Sequence, residues 1–198
     1  MFDVLCMTNR MLCTDDFLSR IRQLAAAHPA GILLREKDLT EEAYSALASQ
    51  VLSICAETQT RCILHTFVQV ADALGCRAMH LPLSALRALS DPQRAAYSVL
   101  GASCHSVAEA VEAEQLGCTY VLAGHIFDTD CKKGLPGRGL DFLARVCESV
   151  AIPVYAIGGI RPERMADVRR AGAAGACVMS GAMRCRDAAS YLAGMRSV

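Results

Sequence analysis

The segment GHIFDTDCKKG, residues 124–134, sets a histidine, two aspartates, a cysteine and two lysines between glycines, directly after the apolar run YVLA. An imidazole titrates close to neutral pH and can both take and return a proton. His125 is therefore a candidate acid/base, with a structural hydrogen bond as its plainer use. Cys131 stands beside Lys132 and Lys133, cations that favour a thiolate. No base is fixed next to it in sequence, however, and one cysteine among eleven is not singled out. Upstream, LLREKD brings Arg35 and Lys37 two residues apart with Glu36 between them. If that stretch is strand, its two-residue period puts the cations on one side and the acid on the other. Such a pair neutralises a carboxylate or phosphate, Arg as a bidentate fork and Lys as a point charge; the plainer reading is a solvated cluster ahead of a helix. Downstream, AIGGI and VMSGAM carry Gly158, Gly159, Ser180 and Gly181. Paired glycines let backbone amides come close to an anion, which suggests a phosphomonoester seat, with tight turns as the alternative. The other histidines are less suggestive: His65, His80 and His105 close apolar runs, and His28 precedes Pro29. They are not spaced like zinc ligands on one helix.

These groups are scattered over most of the chain, so the elements between them must bring them together. Short runs rich in Val, Ile, Leu and small residues, apolar on both faces, fit strands of a covered parallel sheet. Eight such runs occur, at 2–7, 32–36, 62–65, 78–81, 98–103, 120–127, 154–160 and 175–180. Helical spacing fills the intervals: Leu18, Ile21 and Leu24; Leu47, Val51 and Ile54; Val107, Ala110 and Val111 after the N-cap candidate Ser106; Leu140, Leu143 and Cys147; Met165 and Val168 after Pro162. Glycines at 75, 117 and 172 mark helix ends that return quickly into the next strand. Strict alternation gives either an open doubly wound sheet or a closed barrel. Eight units, and no G-x-G-x-x-G after an early strand, favour a single-domain (β/α)8 TIM barrel over residues 1–198. Barrel closure would place every strand-to-helix turn at one mouth, where this architecture carries its chemistry, with phosphate seats commonly after strands seven and eight.

Composition narrows the partners. A formal net charge of zero with 53% hydrophobic and 20% charged residues gives no global field for nucleic acid or an anionic membrane, and no basic run supplies a local one. No apolar stretch approaches the roughly 18 residues of a spanning helix. The opening MFDVLCMTNR carries an acid and no basic flank, which reads as a first strand rather than a signal peptide. Eleven cysteines without a C-x-x-C pair, mostly inside apolar runs, read as small buried hydrophobes in a reducing, cytoplasmic setting. The expected partner is a small phosphorylated molecule; assembly into a homo-oligomer is left open by the sequence.

LREKD, MHL, GASCHSVAEAVEAEQLGCTYVLAGHIF, GLPGRGLDFL, IPVYAIGGI and AGAAGACVMSG, taken in order, resemble the thiamin phosphate synthase superfamily across nearly the whole chain. That resemblance implies a (β/α)8 barrel and one of two activities. The synthases join a pyrimidine diphosphate to a thiazole phosphate with magnesium, using acidic turns after strands three and four. Here those turns read His65-Thr66-Phe67 and Leu83-Ser84-Ala85, without the carboxylates. The second branch, the TenI-type thiazole tautomerases, is the one GHIFDTDCKKG resembles. It implies that His125 moves a proton on a thiazole carboxylate phosphate, converting the ylidene tautomer to the aromatic ring with neither metal nor cofactor. Gly158, Gly159, Ser180 and Gly181 would then hold the phosphate, with Arg35, Lys37 and Lys132 meeting the anionic groups. A synthase with other metal ligands and a non-catalytic thiamin-phosphate binder remain as alternatives.

Overall fold

The computed structural model describes residues 2–132 and 134–197, and of Cys131 the backbone alone. Eight apolar runs form parallel strands: β1 (Asp3–Met7), β2 (Gly31–Leu34), β3 (Cys62–His65), β4 (Ala78–Pro82), β5 (Val99–Cys104), β6 (Tyr120–Gly124), β7 (Val154–Ile157) and β8 (Gly175–Val178). Each pairs with its neighbour in sequence, and β8 returns to β1 through Asp3↔Gly175 and Val4↔Ala176, which closes the barrel. A strand covered by helices outside and packed side chains inside has no solvent face. Accordingly β2, β3, β6 and β8 are buried at every residue and read as continuous apolar runs.

Ten helices surround the barrel among the described residues: α1 (Phe17–Ala26), α2 (Glu41–Glu57), α3 (Val68–Ala73), α4 (Leu83–Ala88), α5 (Asp91–Ala95), α6 (Val107–Gln115), α7 (Gly139–Ser149), α8 (Met165–Arg170), α9 (Ser180–Arg184) and α10 (Ala188–Arg196). Their starts are fixed locally. Ser106 accepts the Glu109 N–H at 3.1 Å, and Asp16, Thr40 and Asp187 cap α1, α2 and α10 in the same way. Each such cap contributes about 0.5–2 kcal/mol. Their ends follow the glycines: Gly75, Gly117 and Gly172 have φ of 65°, 87° and 92°, the left-handed turn that a Cβ disfavours. Among the described residues no helix is long and apolar enough to cross a membrane.

Four strands stop short of the expected bounds: β2 at Leu34 instead of 36, β6 at Gly124 instead of 127, β7 at Ile157 instead of 160 and β8 at Val178 instead of 180. After Ile157 the positive φ of Gly158 (98°) and Gly159 (65°) swings the chain out of the ladder. The segment after Gly124 then clasps that turn, with Ile126 N–H on Ile157 O at 2.9 Å and Phe127 N–H on Gly158 O at 3.1 Å. At β2 the cause is Glu36, whose side chain turns inward to bond the end of β1. The strand period thus does not govern Arg35 and Lys37, although Glu36 is still segregated from them.

Candidate active site

His125 follows Gly124 at the end of β6 through a cis peptide and is 9% exposed. Its Nε2 lies 3.1 Å from the carbonyl oxygen of Leu135. A carbonyl only accepts, so Nε2 carries the hydrogen and the neutral ring keeps its lone pair on Nδ1. The backbone holds the same residue from the other side, with the Arg138 N–H donating to the His125 carbonyl at 2.9 Å. The imidazole is therefore anchored at one nitrogen and basic at the other. Asp128 accepts the Gly137 N–H at 2.7 Å, which ties the segment just after His125 to the one just before Arg138.

The strand ends also carry cations. Lys37 has its pKa lowered by partial burial first, then by the charges of Arg35, two residues before it, and of Lys132 from the segment after β6. None of the three has an ion pair among the described residues. Glu36, the obvious counter-ion, is spent elsewhere. It is 2% exposed, accepts the Thr8 hydroxyl at 2.6 Å and both carboxylate oxygens accept the Arg10 N–H at 3.1 and 3.0 Å. Thr8 in turn accepts the Arg35 N–H at 3.0 Å, which ties the cationic turn to β1. A cavity of about 200 Å³ opens here between Glu36, Lys37, His65, Thr66, Phe67 and Pro82. A larger cavity, about 390 Å³, lies at the opposite end among Asp3, Arg61, Tyr120 and Tyr155. We place the site at the smaller one, because the lone-pair imidazole and the unpaired cations lie at the C-terminal strand ends.

Below the mouth the barrel interior is polar. Tyr44 bridges β2 and β3, donating to Leu34 O at 2.7 Å and accepting the His65 N–H at 2.9 Å. His65 and His80 stack with ring centroids 5.9 Å apart. Burial, then Arg35 and Lys37, push the His65 pKa down to about 3. Both rings are neutral near pH 7, so neither adds positive charge to the mouth. His105 differs: it is exposed, and its Nδ1 donates to the Gly124 carbonyl at 2.8 Å, steadying the residue before His125.

The glycine turns have packing reasons of their own. A Cβ on Gly158 would fall 2.3 Å from the His125 Cβ, and one on Gly159 would fall 2.6 Å from Asp128 O. The turn after β7 is thus moulded to the catalytic candidate's loop. Gly181, at the start of α9, is required by Tyr191, whose hydroxyl would lie 2.1 Å from a Cβ. Ser180 is exposed. The two turns leave strands that pair through Ile157↔Cys177, so they are neighbours on the rim. One cation there escapes the sequence: Arg164 donates to Gly159 O at 3.1 Å and lies 4.2 Å over the Phe127 ring. A hydrophobic and charged surface helix would have the same local pattern, so its sequence carries no signal. The Cys131 side chain and Lys133 lie outside the described residues.

Magnesium, which the resemblance attaches to the synthases, calls for hard oxygen donors, carboxylates above all. The turn after β3 offers Thr66, whose hydroxyl lies 2.5 Å from His65 Nδ1, and α4 offers the exposed Ser84. Among the described residues no three His, Cys, Asp or Glu side chains converge to hold a metal ion. The donor set does not fit that ion.

The sequence profile described as Thiamine monophosphate synthase (TMP-TENI) matches residues 4–182. Thiamine-phosphate synthase 2 of Streptococcus pneumoniae serotype 4 is 32% identical over 178 residues, 87% of this chain and 83% of that protein. The thiamine-phosphate synthase of Desulfitobacterium hafniense is 29% identical over 201 residues, 98% and 95% of the two chains. Among solved structures, thiamine phosphate pyrophosphorylase from Pyrococcus furiosus superposes with a TM-score of 0.83 at 26% identity, covering 98% of this chain and 94% of that one.

Proposed function

The chain belongs to the thiamine monophosphate synthase family, and from that premise we propose that it is a thiazole tautomerase rather than a coupling enzyme. The observation that carries the reading is the imidazole of His125 at the C-terminal end of β6: Nε2–H is committed to Leu135 O, which leaves Nδ1 with the lone pair of a base. The substrate is a thiazole carboxylate phosphate in its non-aromatic ylidene form. Nδ1 removes the proton from the ring carbon that bears the carboxylate, and that C–H bond breaks. The same proton then forms a new C–H bond at the exocyclic carbon. Nothing is gained or lost overall, and the aromatic ring supplies the driving force. While the proton is on the ring, the Leu135 carbonyl stabilises the imidazolium through Nε2–H. Arg35, Lys37 and Lys132 meet the carboxylate and phosphate charges, and the turns at Gly158, Gly159, Ser180 and Gly181 seat the phosphate with backbone amides.

Glutamine at position 125 keeps a donor for Leu135 O but has no basic nitrogen. His125→Gln is expected to lose about 10²–10⁴-fold in turnover, with affinity for the aromatic thiazole carboxylate phosphate within about threefold. Turnover followed by aromatic absorbance and affinity followed by calorimetry check both halves. A variant as fast as the parent would end the acid/base reading.

The names of the relatives favour a second reading, thiamine-phosphate synthase. Incubation of the purified protein with pyrimidine diphosphate, thiazole phosphate and magnesium separates the two. Formation of thiamine phosphate at rates above the tautomerase reaction would replace the first reading with the second.

A further inference from the structure

Three polar side chains meet in the buried interior of the barrel, where each donor and acceptor needs a partner. His80, fully buried, has Nδ1 3.0 Å from the Tyr120 hydroxyl and Nε2 2.9 Å from the Ser103 hydroxyl. Burial first, then His65 and Arg35, drive its pKa well below the ordinary value, so the ring is neutral with a single N–H. One hydroxyl must then donate to the ring and the other accept from it. If Ser103 donates to Nε2, the Tyr120 proton is left in the interior with no described acceptor. If Tyr120 donates to Nδ1, the Nε2–H goes to Ser103, and every buried group in the row is satisfied. A phenol is also the more acidic of the two hydroxyls and the better donor. In this arrangement the one proton left over is on Ser103.

That proton is well placed. Along β4 and β5 the register runs His80↔Gly101 and Pro82↔Ser103, so Ser103 stands one pleat nearer the mouth than the histidine layer, and it is half-buried where His80 is sealed. Gly101 gives the row room, since a Cβ there would come within 2.1 Å of the Tyr120 ring. We propose that Tyr120 and His80 are positioning residues: they hold one imidazole tautomer and thereby present the Ser103 hydroxyl as a fixed donor to an oxygen of the bound substrate. The inference rests on the mouth being the substrate site.

The tautomer is measured first, in ligand-free wild-type protein, by 15N NMR of the histidines. His80 is expected to carry hydrogen on Nε2 and none on Nδ1; the opposite tautomer overturns the proposal, and no variant is needed to find it. The second measurement is a double-mutant cycle on affinity for the aromatic thiazole carboxylate phosphate. Ser103→Ala and Tyr120→Phe are each expected to weaken binding about 3- to 10-fold, the size of one hydrogen bond. The double variant should be no worse than the poorer single one, and Ser103→Thr should recover most of the loss. Additive losses, as a merely structural Tyr120 would give, overturn the proposal. If tautomer and coupling hold while His125→Gln turns over normally, the assigned reaction fails and the relay stands.

Discussion

At the scale of single residues the site is an exercise in which groups are already spent. Glu36 sits in the middle of the cationic turn, yet its carboxylate is occupied by Thr8 and by the backbone and guanidinium of Arg10, so Arg35 and Lys37 are left without an acidic partner among the described residues. The Lys37 pKa is lowered by partial burial first, and then by repulsion from Arg35 and Lys132. An anion bound there relieves that repulsion. Lys37→Met, which keeps the aliphatic stem, is therefore expected to raise KM for the phosphorylated substrate about tenfold, the range of one charged hydrogen bond, with kcat within about threefold. Steady-state kinetics at low and high salt check this, and the defect should shrink as salt screens the charges. A fall in kcat with unchanged KM would place Lys37 in the chemistry instead.

At the scale of elements, the loop after β6 and the turn after β7 act as one unit. Ile126 and Phe127 bond to the β7 turn, and Gly158 is shaped by His125 itself. With φ at 98° and no room for a methyl group, Gly158→Ala must shift the imidazole. We expect a loss of about 1–3 kcal/mol in stability together with a drop in turnover larger than the drop in affinity. Urea unfolding and kinetics on the same preparation test this. An active, equally stable alanine variant would show that the two segments move independently.

At the scale of the whole molecule, the buried histidines make stability depend on pH in a defined direction. The folded pKa of His65, about 3, lies below the ordinary value of 6.5, and that of His80 is lowered too. Between those limits the unfolded chain binds protons that the folded chain refuses. Stability is therefore complete above the unfolded pKa and falls as pH drops through about 6.5 towards the folded value. His65 alone removes up to about 2 kcal/mol by pH 5. Urea midpoints at pH 7.5 and 5.0 should differ accordingly, and His65→Gln should flatten the slope. A midpoint that rises on acidification would contradict the burial of both rings.

Much of this was legible in the order of residues. Continuous apolar runs separated by amphipathic helices fit a covered parallel sheet, and eight of them favour closure; N-caps such as Ser106 and the glycines at 75, 117 and 172 are local devices that any sequence carries in plain view. His125 was visible for the same reason, as a titratable group at the end of an apolar run. What the sequence could not decide is which nitrogen of His125 is free, where Glu36 spends its charge, and that His80, Ser103 and Tyr120 form a row. The partners of those groups are Leu135 O, Thr8 and neighbours on other strands, up to 40 residues away along the chain. Hydrogen bonds between strands depend on register and on where each strand ends, and both are set by the closure of the barrel.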